Sequence, residues 1–189
     1  MSFKFKRTPL EDLVYLETNL IQDSRGSFSE LYKESYFYKA GIKQKLVQVN
    51  RSDTLKKDTI RGLHYQLNPY GQGKLVSVFS GKIFDVAVDI RKGSPTYGKF
   101  FEIELSAQKQ NSLYVPVGFA HGFCTLENNT QVLYLCTESE FSDYNSKGIL
   151  WNDPDIGIFW PTDKPILSEK DKNNPLLKDA ENNYVYLKT

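Results

Sequence analysis

Apolar and polar residues alternate in short runs along most of the chain. In Leu46–Ser52 a period of two sets Gln48, Asn50 and Ser52 on one face and Val47 and Val49 on the other. Such a polar row is either a solvated sheet face or the wall of a polar cavity. In Lys82–Ile90 the row Phe84, Val86, Val88 and Ile90 is wholly apolar, while Asp85 and Asp89 stand in the other row among Ile83 and Ala87. Charges so placed suit a cavity lined by a few ionised groups better than open solvent. Further strands are predicted over 99–105, 112–115, 122–126 and 131–137. Gly93-Ser94-Pro95, Pro116-Val117-Gly118 and Glu127-Asn128-Asn129 lie among their connections. Many short strands with Gly- and Pro-rich links predict an antiparallel sandwich or barrel.

The two ends of the chain read differently. Residues 9–22 alternate loosely, as a short strand with a polar edge would, and Asp23-Ser24-Arg25-Gly26-Ser27-Phe28-Ser29-Glu30 is a turn signal. Taken locally, Arg25 and Phe28 are an ordinary turn with a core anchor. Residues 29–40 carry Tyr32, Tyr36 and Ala40 at helical spacing, and Gly41 is a natural stop. After Gly148 the pattern is irregular and predicts an arm packed back over the barrel, with Ser168 capping a short helix.

Composition narrows the function. A chain of 189 residues, 40% hydrophobic and 25% charged, suits one substantial core, so a single domain over 1–189 is expected. The formal net charge is +1, which gives no global field toward nucleic acid or an anionic membrane and confines any anion binding to a local site. No apolar run approaches the roughly 20 residues needed to span a bilayer. The amino terminus, Met-Ser-Phe-Lys-Phe-Lys-Arg, lacks the apolar stretch of a secretory signal, so a cytoplasmic location is expected. Cys124 and Cys136 sit in strand-like apolar contexts and read as free buried thiols.

The candidate chemistry centres on Arg61-Gly62-Leu63-His64-Tyr65-Gln66 and the following Gln72-Gly73-Lys74. One of the two histidines of the chain stands between cations there. An imidazole is the side chain best suited to move protons near neutral pH, so the stretch reads as a proton-transfer site beside an anion-binding site. Pro116-Val117-Gly118-Phe119-Ala120-His121-Gly122-Phe123 resembles the second motif of the cupins. Metal-dependent cupins add two histidines and a glutamate; here the matching stretch has His64 with Lys74 downstream, and no third histidine exists. Typical catalytic zinc or iron sites use three protein ligands. Metal catalysis is therefore not expected.

Taken together, Asp-x-Arg-Gly-x-Phe (23–28), Gln-x-Asn-x-Ser (48–52), Arg-Gly-Leu-His-Tyr-Gln (61–66), Gln-Gly-Lys-Leu-Val (72–76), Asp-Val-Ala-Val-Asp-Ile-Arg (85–91), Ser-Pro-Thr-Tyr-Gly (94–98) and the His121 turn resemble the dTDP-4-dehydrorhamnose 3,5-epimerase family. Trp-Asn-Asp-Pro, Trp-Pro and Leu-Ser-Glu-Lys-Asp extend the likeness to the carboxyl-terminal region. The resemblance implies an all-β fold, an antiparallel jelly-roll (cupin) barrel with a few short peripheral helices. It implies a cofactor-independent epimerase that inverts C3 and C5 of a nucleotide-linked 4-keto-6-deoxyhexose, turning dTDP-4-keto-6-deoxyglucose into dTDP-4-keto-L-rhamnose. By matching position His64 would be the base, Asp171 its orienting carboxylate, Tyr134 the acid on the far face, and Lys74 the cation that holds the enolate oxygen. Arg61 would pair with phosphate, Gln48 and Asn50 would line the cleft, and His121 would lie in the same cavity. Arg25, Phe28 and Glu30 would belong to a strand swapped into the partner of a homodimer, with Phe28 on the thymine.

Each residue also has a plainer local reading. Tyr134 alone reads as a core tyrosine, Lys74 as a side chain reaching the rim, and Asp171 as a helix-surface carboxylate. The family pattern lapses at Ile21, where an aromatic is usual, and over 138–144, where adjacent tyrosines are common. The alternatives are a C3-only epimerase, a ketoisomerase on another nucleotide-linked keto sugar, or a non-catalytic cupin that binds a sugar nucleotide.

Overall fold

The computed structural model describes residues 2–187. Its larger sheet has six strands, in the spatial order β1 (Phe3–Arg7), β2 (Val14–Thr18), β10 (Asn111–Val115), β7 (Gly73–Ser80), β12 (Thr130–Thr137) and β5 (Leu46–Thr54). The second has five: β13 (Ser146–Gly148), β6 (Ile60–Gln66), β11 (Phe119–Thr125), β8 (Lys82–Asp89) and β9 (Phe100–Ser106). Every pairing within the two sheets is antiparallel. The architecture is an antiparallel barrel, as the alternation of short strands predicts, and specifically the jelly roll that the family resemblance implies.

Three apolar clusters hold it. Between the sheets Val76, Val78, Ile83, Ala87, Leu105, Leu113, Phe119, Phe123 and Val132 interdigitate, each large side chain contributing about 1.5–3 kcal/mol by leaving water. The outer face of the five-stranded sheet is covered by the carboxyl-terminal arm, where Ile156, Leu177 and Tyr184 meet Val86, Val88 and Ile90. Both rows of β8 are thereby buried, which explains why its polar row is so sparse. The outer face of the six-stranded sheet takes Phe3, Leu16, Leu75 and Leu135 with Phe37 of α1 (Glu34–Lys39).

The predicted helix over 29–40 contracts to these six residues. Lys33 at its amino-terminal boundary makes no side-chain capping bond, so nothing satisfies the first N–H groups of a longer helix. Tertiary aromatic contacts take over: Phe37 packs edge-on against Phe3 and Phe5, with ring centroids 5.4 and 5.2 Å apart. The expected stop at Gly41 is present, with φ of +94°. Residues 9–22 split into β2 and the first strand of a separate hairpin, β3 (Ile21–Asp23) with β4 (Gly26–Phe28). In the arm, Ser168 caps α2 (Glu169–Lys172) by accepting from the Asp171 N–H at 3.1 Å. Cys124 and Cys136 are free and buried, as predicted. Among the described residues no helix is long and apolar enough to cross a membrane.

Candidate active site

A cavity of about 810 Å³ opens between the two sheets. One wall is set by strand register in the six-stranded sheet. Lys74, Cys136 and Gln48 are neighbours across β7, β12 and β5, and Val76, Tyr134 and Asn50 form the next rung. Residues two apart share a face, so Lys74, Tyr134, Cys136 and Asn50 turn inward together and line the cavity. Strand β5 answers the question its alternation raised. Asn50 and Ser52 line the cavity while Val47 and Val49 are exposed, so the polar row is the inner one.

The other wall belongs to the five-stranded sheet. His64 of β6 pairs directly with His121 of β11, and both line the cavity. Close approach of these strands requires glycine: a Cβ on Gly62, which has φ of +114°, would lie 2.6 Å from the His121 carbonyl oxygen. The sequence therefore places its two imidazoles side by side, facing the lysine and tyrosine of the opposite sheet.

Each imidazole has a carboxylate partner. His64 Nε2 lies 2.6 Å from Asp171 Oδ1, at the cavity end of the arm. Burial opposes the Asp171 charge, but His64, Ser168 and the Gly62 N–H together outweigh it and hold the carboxyl below its usual range. His121 Nε2 lies 2.8 Å from Asp85 Oδ1. There burial dominates and pushes Asp85 up despite His121, and its Oδ2 has no hydrogen-bond partner among the described residues. The Tyr134 ring stands edge-on to His121 with centroids 6.3 Å apart. Burial, with the nearby Asp85, raises its hydroxyl pKa, so the phenol keeps its proton. Burial lowers the proton affinity of Lys74, whose Nζ donates to the Gln72 carbonyl at 3.2 Å.

Arg61 also lines the cavity, with Nε on Thr54 Oγ1 at 3.2 Å. Gln48 stands one step back, donating to Asn50 at 2.9 Å and accepting from the Phe141 N–H at 2.7 Å. Arg25, Phe28 and Glu30 lie outside the cavity of their own chain. Arg25 pairs with Asp23 at 2.7 Å, Phe28 is 63% exposed, and Glu30 meets Lys33 at 3.6 Å. Asp89, read with Asp85 as a cavity charge, is instead a buried brace. It accepts from Arg91, Ser94 and Thr96, satisfying the turn after β8. Asp85 does not itself line the cavity but bonds to His121, which does. Cys136, Gln66, Gln72, Phe141 and Lys170 are among the further lining residues, none of them predicted as a site residue. The alternation that placed Tyr134 inward also places Cys136 there, whereas nothing local marks Phe141 or Lys170. Among the described residues no three His, Cys, Asp or Glu side chains converge as a metal site.

Fold and site define a class, a jelly-roll protein whose cavity sets two imidazoles on one sheet against a lysine and a tyrosine on the other. The profile of the dTDP-4-dehydrorhamnose 3,5-epimerase family matches residues 7–179. The dTDP-4-dehydrorhamnose 3,5-epimerase of Shigella flexneri is 45% identical over 176 residues, covering 93% of this chain and 96% of that protein. The crystal structure of the Bacillus anthracis epimerase with TDP and PPi bound superposes with a TM-score of 0.89 at 44% identity, covering 92% of this chain and 99% of that one. That of the Legionella pneumophila epimerase in complex with dTDP-4-keto-L-rhamnose gives 0.89 at 37% identity, covering 94% of each. The chain belongs to the dTDP-4-dehydrorhamnose 3,5-epimerase family, and it is an epimerase.

Proposed function

We propose that this epimerase inverts C3 and C5 of dTDP-4-keto-6-deoxyglucose to give dTDP-4-keto-L-rhamnose, without metal or cofactor, in one jelly-roll domain of the cytoplasm. His64 removes the proton beside the C4 ketone, Asp171 fixes its tautomer and stabilises the imidazolium, and Lys74 meets the enolate oxygen. Tyr134 returns a proton to the opposite face of the carbon. The observation that carries the reading is the 2.6 Å His64–Asp171 bond in a cavity whose facing wall carries Lys74 and Tyr134. A base and an acid on facing sheets suit removal of a proton from one face of a sugar ring and its return to the other.

Arg61 binds phosphate through its fork of donors, Gln48 and Asn50 order the polar wall, and His121 presents its ring to the sugar. Arg25, Phe28 and Glu30 complete the nucleotide end of the partner's cavity in a homodimer that exchanges this hairpin. The supporting observation is that β3 and β4 pair with each other alone and leave Ile21 and Phe28 64% and 63% exposed. The C3-only alternative is favoured by one feature, Phe141 at the cavity, which offers no hydrogen bond to a sugar.

The test is incubation with dTDP-4-keto-6-deoxyglucose in deuterated water without added metal. Deuterium at C3 and C5 is expected; deuterium at C3 alone selects the monoepimerase, and none at either carbon rejects this substrate. Sedimentation should give a dimer.

A further inference from the structure

The lysine of the site is supported from behind its own strand. Gly73 and Leu75 face away from the cavity while Lys74 faces into it. Leu75 packs in the outer cluster with Tyr114, and Gly73 is paired with Thr137 of β12. The next residue, Glu138, has φ of +64°, a conformation that residues with side chains seldom adopt. Its Oε2 accepts from the Gly73 N–H at 3.1 Å and from the Thr137 hydroxyl. Both partners are donors, which suits an ionised carboxylate. Gly73 makes room for it, since a Cβ there would come within 2.9 Å of that oxygen.

Glu138 is exposed to a second cavity of about 450 Å³, which it lines with Gln44, Tyr114 and Tyr184. Lys74 itself lines the first cavity. The hydrogen bond from Lys74 Nζ goes to a carbonyl without formal charge. Against the burial that disfavours the ammonium act Cys136 from β12 and the carboxylate of Glu138. Burial raises the Glu138 carboxyl above its ordinary value, and the Thr137 hydroxyl, the Gly73 N–H and Lys74 oppose this only in part. The charge of Glu138 also bears on Tyr114 and Tyr184.

We propose that Glu138 is a positioning residue of the epimerase site, a counter-charge behind β7 that fixes the Gly73–Lys74 backbone and keeps the lysine ammonium protonated, leaving its cavity face free for substrate. Its catalytic meaning rests on Lys74 meeting the enolate as proposed above.

The experiment compares the wild type with Glu138→Gln and Glu138→Asp, reading Lys74 by pulse acetylation with acetic anhydride across pH and mass spectrometry. Glutamine can offer Oε1 to both donors, so the melting temperature serves as a folding control. Removing the negative charge makes the ammonium easier to deprotonate. The labelling midpoint of Lys74 in Glu138→Gln should therefore fall by about 0.5–1 pH unit. The alkaline limb of kcat should move down with it, so that the deficit relative to wild type grows with pH. Glu138→Asp should restore part of the shift. A well-folded Glu138→Gln whose Lys74 midpoint stays within about 0.2 unit of wild type, a small fraction of a typical charge effect, overturns the proposal. If Glu138→Gln does not fold, Glu138→Asn, which also removes the charge and tolerates the positive φ, is judged by the same criterion: a lowered midpoint supports the placement of the charge and an unmoved one rejects it. The labelling needs no substrate, so a protein that labels as expected yet exchanges no sugar proton refutes the functional reading and not this coupling.

Discussion

The two histidine–aspartate pairs stand on neighbouring strands with their imidazoles in direct register, and they are built for different work. The His64 side chain keeps 39% of its surface open toward the cavity, while Asp171 behind it is 5% exposed and held anionic by several donors. The His121 side chain is 6% exposed, and its Asp85 partner is sealed at 0% with one oxygen that finds no partner among the described residues. An accessible imidazole on a well hydrogen-bonded carboxylate can take up a proton and share the resulting charge. An enclosed one on a poorly satisfied carboxylate is better suited to hold a fixed donor pattern. What separates the pairs is the number of donors on the aspartate.

The comparison breaks first at the imidazoles. His64→Ala should reduce turnover by about 10³-fold or more, in the range of a lost general base, while His121→Ala should cost less; equal losses measured by steady-state kinetics would erase the distinction. The carboxylates come next. Asp171→Asn should lower kcat by about 10²-fold or more, because an amide stabilises the wrong tautomer and no imidazolium, and Asp85→Asn should lower it less.

Stability against pH gives the smallest and most discriminating contrast. Asp171 has a folded pKa below its unfolded value, so its contribution is present above the ordinary carboxylate range and lost as pH falls through the depressed value. Asp171→Asn should cost on the order of 1 kcal/mol at pH 7, with the gap closing in acid. Asp85 has the opposite sign: its folded pKa is raised, so stability declines as pH rises from the unfolded value through the raised one. Asp85→Asn should therefore leave the melting temperature at pH 7 unchanged or higher. Thermal melts from pH 3 to 8 check both, and parallel curves would contradict the contrast.

Much of this was legible in the chain because it is local. Period-two alternation found most of the strands and put Gln48, Asn50 and Ser52 on one face, a histidine among cations marked His64, and only the joint family pattern gave Tyr134 and Lys74 a place in the site. The pairing of His64 with Asp171 spans 107 residues and depends on how the arm folds back, which no window of periodicity contains. Asp85 and Asp89 look alike in sequence and differ only because Arg91, Ser94 and Thr96 converge on one of them. The helix predicted over 29–40 shortens to Glu34–Lys39 because aromatic spacing can reflect docking on Phe3 and Phe5 as readily as helical propensity. Arg25, Phe28 and Glu30 lie outside the cavity of their own chain, and their proposed place in a partner's cavity comes from the family resemblance, since locally they read as an ordinary turn.

The central claim is that His64 is the group that takes the proton, and the most direct measurement isolates that step. Loss of the C3 hydrogen of dTDP-4-keto-6-deoxyglucose into deuterated water is followed by NMR for His64→Ala and Tyr134→Phe beside the wild type. The account predicts that Tyr134→Phe still exchanges at C3 while forming product slowly, and that His64→Ala exchanges at neither carbon. Wash-out at the wild-type rate in His64→Ala would contradict it.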